Sequence, residues 1–345
     1  MTTQTPTDRR PATEPAASGL RRFVNQDDNI VQLLVITALV FALMSALNPE
    51  KFLRYYNFES ISFTFPELGL LSIAMMVAML TGGIDLSVVG VANLAAVLAG
   101  TLFHHLAPGA SSSLGLGPVA LGLGLALLTG LMAGALNGLL IARLRITPIL
   151  ATLGTSQIFT GLALVLTGGP AIVGFPSAWN AIGNGKVLGV AVPFVLFVAL
   201  ASAVGFALSR TTFGTRLMLI GTNAKDAVFA GLDTRRIVFQ SYVLTGTLAS
   251  IAGLILSGRT NAAKSDYGTS YLLQAVLVAV LGGTNPAGGR GSVLGVSIAV
   301  LALMMLSSGF QMMRFSNFLI DFIWGGFLLL VIALNVLRSR GRGRS

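Results

Sequence analysis

Residues able to do covalent or metal chemistry are scarce in this chain, and none falls in a catalytic spacing. His104 and His105 are adjacent, and neighbouring helix positions point in different directions, so no metal site is expected of them. There is no Cys, hence no thiol nucleophile, no Cys-ligated metal and no disulfide framework. Neither HExxH nor GxSxG occurs, so no catalytic residue is expected. GxxxxGKS/T, the loop that cradles nucleotide phosphates, is absent too, so any use of ATP must come from another subunit. Asp85 lies between two apolar runs and Asp321 near the start of the last one; both read as helix-terminal groups. What remains is uncharged polarity. Asn93, Asn137 and Gln157 lie inside apolar runs, where each must bond a neighbouring helix or face a cavity.

Composition decides which elements position those amides. Of 345 residues, 54% are hydrophobic and 10% charged, against about 25% charged in an ordinary soluble domain. Mean hydropathy is +0.82. These figures exclude a soluble enzyme, a disordered chain and a nucleic-acid binder. The net charge of +10 does not reverse this, because the basic residues form short clusters between long apolar runs. A crossing helix needs about 20 mostly apolar residues. Ten candidate spans fall at roughly 30–47, 67–82, 86–106, 118–141, 148–167, 190–208, 237–257, 271–284, 292–310 and 317–337. The expected fold is all-α and polytopic; β-barrel strands would be shorter and would alternate. The run at 271–284 is short enough to be a re-entrant half-helix.

Residues 1–29 have no apolar core of the kind a signal peptide needs, and read as a disordered cytoplasmic tail. Residues 30–337 form the transmembrane domain, and 338–345 a basic cytoplasmic tail. Such tails suit an anionic lipid surface rather than RNA. With the N-terminus inside, sixteen of the 22 Lys and Arg residues fall on cytoplasmic segments, which supports both termini inside and an even number of crossings. Carboxylates, His and Lys are nearly absent from the spans, which argues against ion coupling.

Three segments organise the rest. In 130-GLMAGALNG-138, Gly130, Gly134 and Gly138 share one helix face and let another backbone approach closely. In 81-TGGIDLS-87 a Gly pair ends one span and Asp85 is placed to cap the next. A similar break, 282-GGTNPAGGRGS-292, hints at two related halves. The loop 210–242 is the longest cytoplasmic connection, with five basic and two acidic residues. Within it, residues 224–230 can form a two-turn helix capped by Asn223. Its small face, Ala224, Ala227 and Gly231, could dock in a partner's cleft.

These stretches resemble the ribose-type permease family of bacterial ABC importers. The matching segments are 81-TGGIDLSVVG-90, 137-NGLLIARLRITPILATLGT-155, 161-GLALVLTGGPAI-172, 211-TTFGTRLMLIGTNAKDAVFAGLDTRRI-237 and 282-GGTNPAGGRGSVLG-295. They keep their order over roughly residues 67–337. Family members commonly have Ile where this chain has Leu232, and often a second Ala where it has Val228. The resemblance implies a subunit of the bacterial inner membrane paired with a second permease copy or homologue. It also implies a cytoplasmic ATPase pair that holds ATP and Mg²⁺, this chain binding no cofactor, and an extracytoplasmic sugar-binding protein. The segment around Gly221, Asn223, Ala224, Ala227 and Gly231, with Arg235 and Arg236, would then be the coupling segment that touches the ATPase.

Relatives of this type carry pentoses, hexoses, deoxysugars, polyols and furanose signals such as autoinducer-2. The expected mechanism is alternating access, with a neutral solute crossing between two permease copies past Asn93, Asn137 and Gln157. An ion-coupled carrier of a small polar solute and a structural scaffold are the competing classes.

Overall fold

The computed structural model describes residues 17–342. Fourteen α-helices occur among the described residues: α1 (Ala17–Leu47), α2 (Pro49–Phe52), α3 (Tyr55–Leu80), α4 (Val88–Leu106), α5 (Leu116–Ala142), α6 (Pro148–Thr167), α7 (Ser177–Asn184), α8 (Val192–Arg210), α9 (Thr212–Thr222), α10 (Ala224–Phe229), α11 (Thr234–Thr260), α12 (Tyr271–Leu281), α13 (Val293–Met312) and α14 (Asn317–Arg342). Strands are minor. Antiparallel β1 (Ile172–Val173) and β4 (Ala262–Ala263) pair Ile172 with Ala263, and β2 (Lys186–Val187) and β3 (Val190–Ala191) form a hairpin. Proline sets several starts: Pro49 opens α2, Pro148 opens α6 and Pro193 sits in the first turn of α8, where a missing N–H costs nothing.

Eight helices are long and apolar enough to cross a membrane: α1 from Asn29, α3, α4, α5, α6, α8, α11 and α13. The polytopic all-α expectation stands. α14 has an apolar stretch at Phe318–Leu330. α1 reaches back to Ala17, into the stretch expected to be a tail, because a helix once nucleated extends readily through Ala, Leu, Arg and Gln. Residues 1–16 and 343–345 lie outside the described residues.

α3 begins at Tyr55, twelve residues before the expected span. Asn57, Glu59, Ser60, Ser62 and Thr64 had hidden this half from hydropathy. They are tolerated because α3 runs through the middle of the protein with its polar groups engaged. Asn57 Nδ2 donates to the Phe52 carbonyl at 2.8 Å, and Ser308 Oγ donates to Asn57 Oδ1 at 2.5 Å.

The run at 271–284 forms helix only over the eleven residues of α12. That is about 17 Å, roughly half of a hydrocarbon core of about 30 Å. The chain nevertheless crosses there. Thr152, near the start of α6, bonds the Ile84 carbonyl beside the end of α3. β1 follows α6 at the opposite end and pairs with β4. The turn after α12 comes back to the end of α3, where Gly289 N donates to the Leu80 carbonyl at 3.0 Å. Residues 264–281 are therefore one crossing, non-helical in its first part and helical in its second. By the same tracing, α1 runs from the face that bears α10 to the opposite one. A β-carbon on Gly283 would meet Asn29 of α1 on the α10 face, and one on Gly309 would meet Met44 at the other.

Candidate functional site

The face bearing α10 is built on glycine. A β-carbon on Gly221, at the end of α9, would overlap the Leu80 carbonyl, and one on Gly288 would lie 2.6 Å from the Gly221 carbonyl oxygen. One on Gly82 would lie 3.1 Å from the Ala287 carbonyl oxygen. The two sequence breaks, 81–87 and 282–292, thus touch each other, and α9 sits directly on them. Both preceding helices end alike, with Gly83 N donating to Ala78 O beside Gly82 (φ +77°) and Thr284 N donating to Ala279 O beside Gly283 (φ +89°).

α10 has the expected cap. Asn223 Oδ1 accepts from Lys225 N at 3.0 Å and Asp226 N at 3.4 Å. It ends with Leu232 N donating to Ala227 O at 3.0 Å around Gly231, whose φ of +76° suits glycine. Asp233 then caps α11 by accepting from Arg236 N, leaving Arg235 and Arg236 exposed on its first turn. The expected small docking face needs correction. Ala227 is buried against the bundle, while Ala224 and Gly231 are exposed elsewhere. Presented outward instead are Val228, 58% exposed, and Phe229, 90% exposed. Periodicity alone could not orient a six-residue helix, but Phe229 in an otherwise small and polar segment was a signal.

Behind this face lies a buried polar network. Asp85 was expected to cap α4. It accepts instead from Ser87 N (3.0 Å) and Ser87 Oγ (2.6 Å) in the approach turn, and from Thr245 Oγ1 of α11 (2.8 Å). The residue at the cap position is Ser87, whose side chain makes no cap hydrogen bond. Asn137 joins the same network, donating to Ser87 Oγ at 2.7 Å and accepting from Thr155 Oγ1 at 2.6 Å. Its amide is buried and engaged at both ends, so it fastens α4, α5 and α6 together rather than facing an open path. Thr245 was the partner that sequence reading missed. The glycines of α5 pack as expected: a β-carbon on Gly130 would lie 2.5 Å from the Gly246 carbonyl oxygen, one on Gly134 2.8 Å from Val243 Cα, and one on Gly138 3.0 Å from Phe239 Cα.

The other two amides part company. Gln157 is exposed on the outer side of α6, among Leu150, Leu153, Ile158 and Val165. Asn93 is buried, and its Nδ2 donates to the carbonyls of Ser265 and Tyr267, each at 2.9 Å. It clamps the non-helical half of the 264–281 crossing. Beside it lies a small cavity lined by Glu67, Asn93, Tyr267, Gly268 and Tyr271 among others. The near absence of charge within the spans also needs correction. Glu67 lies well inside α3, paired with Arg259 of α11 (Nη2–Oε2 3.1 Å) and accepting from the Tyr271 hydroxyl at 3.2 Å. Sequence reading put Glu67 at a helix start because the polar first half of α3 was missed.

A family model described as "Branched-chain amino acid transport system / permease component" matches residues 57–332. The chain is 33% identical over 309 residues to the autoinducer 2 import system permease protein LsrD of Enterobacter sp. (strain 638), covering 87% of this chain and 90% of that one. The LsrD protein of Escherichia coli (strain SMS-3-5 / SECEC) is 32% identical over 310 residues (88% and 89%). That of Yersinia enterocolitica is 33% identical over 271 residues (77% and 79%). No solved structure matches. The resemblance drawn from the motifs holds, and the chain belongs to this family of transport permease components as a multi-pass protein of the bacterial inner membrane.

Proposed function

We propose that this chain is the membrane-spanning permease of an ATP-driven ABC importer that brings in a monosaccharide or related neutral polyhydroxy solute. The observation that carries this reading is the mounting of α10. A capped helical tip with an exposed Phe229 rests, through Gly221, on the ends of α3 and of the α12–α13 turn. Motion imposed on such a tip passes to helices of the core, because backbone-on-backbone contacts leave no slack.

In this reading the α10 face is cytoplasmic and meets an ATPase pair that holds ATP and Mg²⁺; this chain holds neither. An extracytoplasmic binding protein delivers the solute, which crosses between this chain and a second permease copy or homologue, with Gln157 on the facing side of α6. ATP binding closes the ATPases, α10 moves, and the path changes the side to which it opens. The relatives named for autoinducer 2 import favour a sugar-like solute. An ion-coupled carrier would need a carboxylate free to take a cation, whereas Asp85 accepts three hydrogen bonds and Glu67 is paired with Arg259.

Phe229→Glu tests the coupling assignment. Its side chain touches little of this chain, so the variant should fold normally yet lose ATPase co-purification and uptake. Normal uptake by a fully expressed variant would refute the assignment. A ligand screen on the cognate binding protein identifies the solute.

A further inference from the structure

The stretch between β4 and α12, residues 264–270, is non-helical backbone at membrane depth. The turn after α12 meets Leu80, and α12 spans about 17 Å back from that end to Tyr271, whose hydroxyl bonds Glu67 well inside α3, so Tyr271 stands near the middle of the hydrocarbon layer. Non-helical backbone at that depth persists only where protein buries it or water reaches it. This stretch is not fully buried: Asp266 and Thr269 are exposed, and Tyr267, Gly268 and Ser270 are partly so. Residues 265–270 are a run of turns, without the continuous backbone ladder of a helix. Polar backbone that turns leave unpaired costs several kcal/mol per group in hydrocarbon. Ser265, Tyr267, Thr269, Ser270 and Tyr271 bear hydroxyls, and the two charges of the stretch, Lys264 and Asp266, pair with each other at 2.9 Å.

We infer that residues 264–271 line the water-filled solute path at mid-membrane, offering hydroxyls and turn backbone to a neutral polyhydroxy solute. Asn93 is the positioning residue. Its Nδ2 holds the Ser265 and Tyr267 carbonyls and so fixes the turns that carry Thr269. Leu273, one helical turn beyond Thr269, is also exposed and continues this side onto α12. The inference rests on the importer reading and adds a specific wall to its path.

The chain has no Cys, so a single introduced thiol reports without background. Thr269→Cys is compared with Leu128→Cys, an exposed apolar position on α5, in the permease assembled with its ATPase and binding protein in proteoliposomes. The probe is the charged, membrane-impermeant reagent sulfonatoethyl methanethiosulfonate. Thr269→Cys should react at least ten times faster than Leu128→Cys, and its rate should differ between nucleotide-free and ATP-bound states. Adding Asn93→Ala to Thr269→Cys should change that rate while the protein still elutes as a folded species. A Thr269→Cys thiol as slow as Leu128→Cys in every state means a dry contact with lipid or a second copy, and overturns the inference. Fast reaction that ignores nucleotide means a static water pocket, and overturns the path assignment. An Asn93→Ala background that leaves the rate untouched removes the positioning role. Uptake driven by an ion gradient without ATP would overturn the importer reading alone, since the labelling rates are read independently of uptake.

Discussion

Gly134 has no room for a side chain, because its α-carbon faces the α11 backbone at Tyr242 and Val243. Gly134→Leu should therefore destabilise the protein by about 1–3 kcal/mol. Denaturation in detergent, with Gly124→Leu as the comparison where nothing lies within 4 Å, reads that difference. This site was readable in the sequence, since spacing by four defines a helix face before any partner is known. Asp85 was readable only in part. Its place before an apolar helix suggested a cap, but its bond to Thr245, 160 positions away, depends on how α11 packs. Asp85→Ala leaves the Ser87 hydroxyl and the Ser87 N–H without their acceptor, while the Thr245 hydroxyl keeps the Tyr242 carbonyl, and should cost about 1–3 kcal/mol for each group left unpaired. Asp85→Asn should retain part of the loss. Unfolding midpoints of the two variants, measured side by side, check the order.

At the scale of elements, α10 shows what local chemistry settles and what it leaves open. Asn223 and Gly231 mark its two ends, and both act as their residue types predict. Which side faces out follows from its contacts with α9 and α11, so Ala227 turns inward and Phe229 outward. Gly231→Trp should weaken the end of α10 by about 1 kcal/mol through its positive φ. It should also place bulk beside the proposed ATPase contact, blocking uptake while the binding protein still docks. Binding-protein affinity and uptake, measured on the same preparation, separate these effects. α12 offers the complementary lesson. Its shortness could be seen in 271–284, but the crossing is completed by 264–270, whose hydroxyls and charges no hydropathy window reads as part of a span.

Across the whole molecule, charge orders the fold in two ways. Clusters of Arg and Lys on the connections of the α10 face include Arg143, Arg145, Arg216, Arg235 and Arg236, as the orientation rule leads one to expect. Inside, Glu67 ties α3 to α11 through Arg259 and to α12 through Tyr271. Glu67→Leu strands the Arg259 guanidinium and should destabilise the fold by about 3 kcal/mol, whereas Glu67→Leu with Arg259→Leu should recover much of that loss. Equal destabilisation by the single and double variants in detergent denaturation would contradict the pairing. The long apolar helices were readable because their runs of residues are local. This ion pair was not, because it joins residues 192 positions apart. Uptake into proteoliposomes tests the importer reading most directly. With the ATPase, the solute-loaded binding protein and ATP all present, solute should accumulate, and omitting any one of them should abolish accumulation. Uptake by this chain alone, driven by an ion gradient and indifferent to ATP, would contradict the account.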